Sequence, residues 1–408
     1  MSSIVKIAVI IRKLSVSGGA QRIALNVAYE LQKAGNEVIL YTFFCDVEKC
    51  FPELLKKFTV VVLPKNRYRE TFRFLGFLLE DRMARDMAYM IDRATDILYP
   101  DDGPAHHVAY YYKKYIRNIP SVWNMNELPT MRWPLEMLPI IENAAFHDIP
   151  WRPLFLKKAM ILLKTLYERK FIRAQNAIIV FDEFHKMMLR RYANCESIII
   201  PSGLDTVEFP YIEKMSPRRR ERLNLLSSGI FLSYRRFEDS IEAMALIVEH
   251  GMDPYLVILG EYSTDIKYYQ QLKKLCKDRG VVQRVTFFGR YSDAELKHFF
   301  RESHIFVYPH LQSQGVAVNE TIASGIPTIV TPLAGTYETL HDGVDAVFAE
   351  PRNPQALAHA IEKLVDSPEL YQAISRTGAR HMAENFSWNR QAKSVLEVMN
   401  SQIHATKI

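Results

Sequence analysis

The sequence predicts an α/β protein built as two doubly wound domains. Short β-branched runs alternate with helical stretches along the chain, the order that makes a parallel sheet flanked by helices. Glycine turns sit where strands hand over to helices, at Gly18-Gly19 and at Gly315. At 408 residues there is ample core for two or three domains.

Composition agrees with a globular chain, 48% hydrophobic and 24% charged. The net charge of +6 suits a phosphate-rich ligand or an anionic membrane surface and selects neither. Nothing marks a nucleic-acid partner. Of the four cysteines, Cys45 and Cys50 are close, but no second pair or nearby His completes a zinc pattern. Cys195 and Cys276 stand alone. Free thiols of a reducing compartment are expected, with no metal site and no cofactor. The opening MSSIVKIAVIIRK has too short an apolar run for a signal peptide and reads as a first strand. No run reaches about 18 apolar residues, so no membrane span is expected. A cytoplasmic chain follows, with the inner face of a membrane as one place of work.

Val5 to Ile11 reads as a buried parallel strand. The turn Ser17-Gly18-Gly19 follows, then a helix from Ala20 to Ala34 with its apolar stripe at Ile23, Ala24, Val27, Ala28 and Leu31. Gly35 ends it, and Glu37 to Phe43 is the second strand. A glycine pair at such a turn lets backbone approach a ligand closely; a tight turn alone also explains it. Residues 65–90 interleave Lys65, Arg67, Arg69, Arg73, Arg82 and Arg85 with Tyr68, Phe72, Phe74 and Phe77. They fit a lipid headgroup layer or a solvated helix over a core. Asp96 to Tyr99 is a strand. The following Asp101-Asp102 reads as a turn and helix cap, or as a binder of a metal or polar acceptor. His106 and His107 are adjacent, so they diverge on a helix and make a poor metal pair; they read as structural or solvent-facing. Residues 151–173 carry seven basic residues against Glu168, a net +6 equal to the chain's whole excess. Apolar residues fall all round that helix, which favours a partly buried connector over a membrane-surface helix. Ala177–Val180, a helix near Glu183–Tyr192 and Ser197–Ile200 complete the first half. The boundary is placed at Pro201-Ser202-Gly203-Leu204-Asp205, dividing a domain of 1–205 from one of 206–387.

In the second half, Arg218 to Arg222 is a charge run that reads as solvated surface. Gly229 to Tyr234 reads as a strand ending at Arg235-Arg236, with a helix from Asp239 to Glu249. Leu256–Leu259 and Val285–Phe288 are further strands, followed by Gly260-Glu261 and Gly289-Arg290. Ser292 caps a helix. The centre of the chain's chemistry is Val307 to Pro332. Ile305–Tyr308 is a buried strand stopped by Pro309, a polar loop runs to Gly315, a helix spans Val316 to Ser324, Gly325 stands just past its end, and Thr328 begins the next strand. Ligands of parallel α/β sheets bind at the carboxyl ends of strands, where loops feed helix N-termini. The backbone N–H groups of Val316 and Ala317 and the positive helix end suit an anion such as a diphosphate. Glu320, one turn inside and read as exposed, is placed to accept from hydroxyls. Residues 354–366 and a last helix from Trp388 to about Asn400 close the chain.

This segment resembles the signature of the family 4 retaining glycosyltransferases, which have the GT-B fold: two Rossmann-like domains facing across a cleft. Gly315, Glu320, Gly325 and Pro327 match in register. The resemblance implies that Glu320 binds the ribose hydroxyls of a nucleotide sugar, and that the backbone at Gly315, Val316 and Ala317 holds its diphosphate. The family's first Glu, which touches the transferred sugar, is Gln312 here, losing a charge-assisted bond worth about 1–2 kcal/mol over a neutral one. Gly18 and Gly19 match the turn that faces the donor from the first domain. Arg235 or Arg236 matches the Arg that neutralises the leaving diphosphate; the family's Lys a few residues on is absent, and the second arginine is its candidate replacement. Gly289 matches the base-pocket rim and Gly335 a turn near the diphosphate. At Ser121 to Glu127, where relatives carry a His followed by an acid, Asn126 (or, with a slipped alignment, Asn124) takes the His place and Glu127 the acidic one, so Glu127 is the candidate for orienting an acceptor hydroxyl or sugar. The linker at 201–205 with Phe209 is also similar to the family's, and the last helix is expected to pack back on the first domain.

The resemblance runs over nearly the whole chain and is weakest from about 65 to 150. It implies a metal-independent, retaining hexosyltransferase. GDP-mannose is the first donor expectation and a UDP-sugar the second, with a glycan or lipid-linked acceptor in polysaccharide or surface-glycan synthesis and a peripheral membrane contact. The competing reading is a catalytically idle GT-B subunit that binds nucleotide or glycan and scaffolds a partner transferase. The departures at Gln312, the missing Lys and the missing His support it.

Overall fold

The computed structural model describes residues 4–16, 18–64, 76–126, 154–311, 315–333 and 336–407. They form two compact units, the first from 4–126, 154–203 and 388–407, the second from 204–387.

The first unit has a seven-stranded sheet, every pairing parallel. Its strands are β1 Lys6–Leu14, β2 Glu37–Cys45, β3 Thr59–Val62, β4 Ile97–Asp101, β5 Val122–Asn124, β6 Ala177–Val180 and β7 Ile198–Ile199. The order is β3-β2-β1-β4-β5-β6-β7. The winding therefore reverses between β1 and β4, where Ile11 lies beside Asp101. Ile7 to Ile10 of β1 are all buried, as expected of a strand covered on both faces. Helices α1 Gly19–Lys33, α2 Pro52–Leu55, α3 Gly76–Met90, α4 Ala105–Tyr115, α5 Leu154–Arg173 and α6 Glu183–Ala193 connect them. The predicted stripe of α1 is buried in full. Gly35, at φ +90°, takes the left-handed position past its end that a Cβ disfavours. On α3, Met83, Ala84 and Met87 are buried in the core shared with α4, so this part of 65–90 is a helix over a core; 65–75 lie outside the described residues. On α5, Thr165, Glu168 and Phe171 are buried while Leu163 and Leu166 are exposed, the partly buried connector expected.

The second unit has six parallel strands: β8 Arg222–Ser228, β9 Asp253–Leu259, β10 Val285–Gly289, β11 Ile305–Tyr308, β12 Thr328–Val330 and β13 Val347–Phe348. The order β10-β9-β8-β11-β12-β13 repeats the winding of the first sheet and reverses between β8 and β11. Its helices are α7 Phe237–Glu249, α8 Ile266–Asp278, α9 Asp293–Glu302, α10 Val316–Ala323, α11 Pro354–Asp366 and α12 Pro368–Asn385. All four residues of β11 are at most 1% exposed, and each such side chain contributes about 1.5–3 kcal/mol by leaving water. Ser292 starts α9 with a full capping box to Glu295.

One strand is displaced from its expected place. Gly229 to Tyr234 is not a strand; β8 runs earlier, through the supposed charge run's last residue Arg222. Leu223 and Leu225 are buried in the core on one face of the sheet and Leu226 in the core on the other. Gly229, at φ +152°, starts the turn into a 3-10 segment, Ser233–Arg235. Arg235 and Arg236 thus follow the strand at a distance.

The last helix, α13 Trp388–Lys407, packs on α1 within the first unit, with Val395 and Met399 fully buried and Asn389 Nδ2 donating to Glu30 Oε2 at 3.1 Å. Gly203 is needed here: a Cβ would stand 2.6 Å from the Trp388 backbone nitrogen. No described helix is long and apolar enough to cross a membrane, and the four cysteines are free thiols.

Candidate functional site

Three strands of the second unit finish on glycines that lie against one another. Gly229 follows β8, Gly260 follows β9 and Gly289 closes β10. The Gly229 N–H donates to Leu259 O and the Gly260 N–H to Gly289 O, each at 2.9 Å. A Cβ on Gly260 would sit 1.9 Å from Gly229 O, so backbone alone fits. The result is a smooth shelf at the carboxyl edge of the sheet, beside the point where the winding reverses, which is where ligands of such sheets bind.

Arg235 reaches the end of β11 from this edge. Its Nη1 donates to Tyr308 Oη at 3.1 Å and to His310 Nδ1 at 2.9 Å. His310 is fully buried. Burial first, and then the guanidinium charge, hold its pKa far below the usual imidazole range. It is therefore neutral, accepts at Nδ1 and carries its proton on Nε2. Thr331 Oγ1 anchors the His310 carbonyl, and Leu311 N–H donates to Tyr234 O at 3.0 Å. The same Tyr308 lies against the start of α10: a Cβ on Gly315 would be 2.4 Å from its hydroxyl. Gly315 brings no capping side chain to that helix start, and among the described residues the first-turn N–H groups of Val316 and Ala317 have no side-chain partner there. Arg235 Nε, His310 Nε2 and Asn319 Oδ1 are buried without hydrogen-bond partners among the described residues, whereas buried polar atoms are ordinarily paired.

Glu320 lies on α10 as expected, but it is buried, at 4% exposure, and not exposed. The two arginines part company. Arg236, at φ +53°, pairs with Asp239 at 2.6 Å and Glu238 at 2.8 Å. It lines a different surface groove, along α7 with Glu242, Leu246, Arg279 and Arg352. Its charge is spent on its own helix. Gln312, Glu127 and Gly335 lie outside the described residues.

In the first unit, Gly18 is the cap position of α1 and Gly19 its first residue, again with no capping side chain. A Cβ on Gly18 would meet Gln21 Oε1 at 2.6 Å. At the reversal of this sheet stands a residue that sequence reading assigned to a turn. Asp101 is the last residue of β4, buried, and caps nothing: the cap position of α4 is Pro104, with no side-chain cap. Its carboxylate accepts from Asn124 Nδ2 at 2.8 Å and from Asn126 Nδ2 at 2.9 Å. Burial outweighs these bonds and pushes its pKa up to about 7. Both residues weighed for the missing His thus face one carboxyl group. An acid closing the apolar run Ile97-Leu98-Tyr99-Pro100 is the signal that could have found it.

His106 and His107 fit the structural one of their two readings but not the divergence expected of neighbours on a helix. Neither is solvent-facing, and they converge: both Nε2 atoms approach Glu168 Oε2, at 3.1 and 2.8 Å. Burial pushes His106 down to about 4. Burial would raise Glu168, but the two imidazoles hold it below the usual carboxylate range.

Residues 211–381 match the glycosyl transferases group 1 family. Mannosylfructose-phosphate synthase of Agrobacterium fabrum is 26% identical over 215 residues, 50% of this chain and 47% of that protein. The GDP-mannose-dependent alpha-(1-6)-phosphatidylinositol dimannoside mannosyltransferase of Mycobacterium tuberculosis is 24% identical over 246 residues, 57% and 59% of the two chains. The chain spans about half the length of the curated relatives it matches. Among solved structures, sucrose-phosphate synthase from Thermosynechococcus elongatus superposes with a TM-score of 0.77 at 17% identity, over 98% of this chain and 99% of the other. Anabaena HepE in complex with UDP and glucose gives 0.73 at 14% identity, over 97% and 100%.

Proposed function

We propose that this chain, a family 4-like glycosyltransferase with the GT-B fold, transfers a hexose from a nucleotide diphosphate sugar to a glycan or lipid-linked acceptor with retained configuration. The observation that carries the reading is the Arg235–Tyr308–Gly315 contact chain. It ties one cation to an uncapped helix start at the winding reversal of the second sheet. A diphosphate there would receive the Val316 and Ala317 N–H groups and the Arg235 charge, and Glu320 from the same helix would hold ribose hydroxyls. Gly18 and Gly19 give the first unit an uncapped helix start of its own. As the bond between the anomeric carbon and the phosphate oxygen breaks, those donors stabilise the charge left on the diphosphate. The acceptor hydroxyl bonds to the same face of the sugar, and its proton passes to the departing phosphate oxygen. No protein carboxylate has to take that proton, so Gln312 is compatible with turnover.

GDP-mannose is the first donor assigned, since relatives include a GDP-mannose-dependent enzyme acting on a phosphatidylinositol mannoside. A UDP-sugar is second, since a structural neighbour holds UDP and glucose. The lipid-linked acceptor and a place at the inner face of a membrane belong to the same assignment. A mass-spectrometric screen of UDP-, GDP- and ADP-sugars for slow donor hydrolysis tests it, with Glu320→Gln as control. Release of one nucleoside diphosphate, lost in the control, is expected. Nucleotide binding with no release from any donor, with or without lipid and glycan acceptors, would instead support the idle subunit.

A further inference from the structure

Three buried donor atoms of the first unit meet away from the sites above. His106 and His107 open α4, and Glu168 comes from α5; their exposures are 0%, 3% and 5%. Adjacent helical side chains ordinarily diverge, but packing turns these two rings together. His106 stacks on Trp123 at 4.2 Å and His107 on Phe171 at 3.6 Å. Both Nε2 atoms therefore face one carboxylate oxygen.

We propose that His106, His107 and Glu168 form a binding site for a divalent transition-metal cation of the zinc class. Two imidazole nitrogens and one carboxylate oxygen are a zinc donor set with a fourth position left for water. The His pair disfavours calcium and magnesium, which take oxygen shells. Metal bonds of about 2.0–2.1 Å set tetrahedral ligand edges near 3.3 Å. The edges here, 2.8 and 3.1 Å, need open by only a few tenths of an ångström, and all three donor atoms lie within 4.8 Å of one another. An outer partner stands close by. Asp81 Oδ1 is 3.6 Å from His107 Nδ1, just beyond hydrogen-bond distance; closing that gap on loading would complete the carboxylate–histidine–metal arrangement that fixes ring orientation, and Tyr111 Oη steadies Asp81 at 2.6 Å. Two carboxylates, two neutral imidazoles and a divalent ion sum to zero charge, as a buried site requires. The ion would join α4 to α5 directly and α3 through Asp81. This inference does not depend on the sugar-transfer reading.

The test uses the full chain, stripped with a chelator and offered Co2+ or Zn2+ both when folded and during refolding, because the ligands are buried. The expected result is one equivalent of Co2+ with the visible d–d bands of a four-coordinate centre, displaced by Zn2+, and a melting temperature that rises with free Zn2+. Asp81→Asn, which keeps all three ligands, should weaken binding roughly 10–100-fold. Glu168→Gln, nearly isosteric, should abolish the Co2+ spectrum while keeping the native circular dichroism. A wild-type chain with neither a Co2+ spectrum nor a Zn2+-dependent melting temperature overturns the proposal without any variant. So does a spectrum unchanged in Glu168→Gln. Should that variant not fold, an unweakened Asp81→Asn overturns it.

Discussion

Arg235 owes its position to His310. A guanidinium needs acceptors, and a buried imidazole can serve as one only while neutral, which burial and the adjacent cation enforce. Both bonds come from Nη1 alone, so Lys would lack the Nε and Nη2 donors that Arg235 keeps beside them for a ligand. We expect Arg235→Lys to raise the donor KM about tenfold, the equivalent of about 1.4 kcal/mol, in steady-state assays, with little change in melting temperature. A KM at the wild-type value would remove Arg235 from the donor site. Asp101 gives a pH prediction. Its folded pKa, about 7, lies above the ordinary 3.8, so the native state binds the extra proton in that window. The stability this group contributes is fully present below about pH 4 and is lost as pH rises through about 7. Urea denaturation at pH 5 and pH 8 should show wild type losing stability relative to Asp101→Asn. Parallel behaviour of the two proteins would contradict the raised value.

At the scale of elements, glycines mark where the chain must bend and where backbone must pass close. Gly325 does both, at φ +80° with a would-be Cβ 2.7 Å from Ile212 O. Gly325→Ala should destabilise the second unit by about 2 kcal/mol or more, read from thermal melts; a neutral substitution would mean that the end of α10 can shift freely. This element was legible in the sequence, because strand, Pro309, helix, Gly325 and Pro327 are local signals that agree. Strand β8 was not placed correctly. Arg218–Arg222 read as solvated charge and Gly229–Tyr234 as a β-rich run, whereas the sheet selected the leucines between them. Roles that depend on distant partners were also hidden. His310 acquires meaning only beside Arg235, Asp101 only beside Asn124 and Asn126, and His106-His107 only beside Glu168. The burial of Glu320 followed from the packing of α10, which a short helix with little amphipathic contrast does not announce.

At the scale of the molecule, each unit has its own sheet and core, and the chain returns to the first unit for its last helix. Removing 388–408 would expose the sites of Trp388, Val395 and Met399, all at most 7% exposed. At about 1.5–3 kcal/mol each, that loss approaches the whole net stability of a domain. Calorimetry of the truncated chain should therefore show the second unit melting cooperatively and the first without its transition. Two intact transitions would contradict the role given to α13. The central claim is that a nucleotide diphosphate seats on the start of α10. Hydrogen exchange read by mass spectrometry, with and without GDP or UDP, tests it most directly. The account predicts slowed exchange in peptides covering 315–325 and 229–236 in wild type, and no slowing in Arg235→Ala. Slowing confined to other peptides, with these two unchanged at saturating nucleotide, would contradict it.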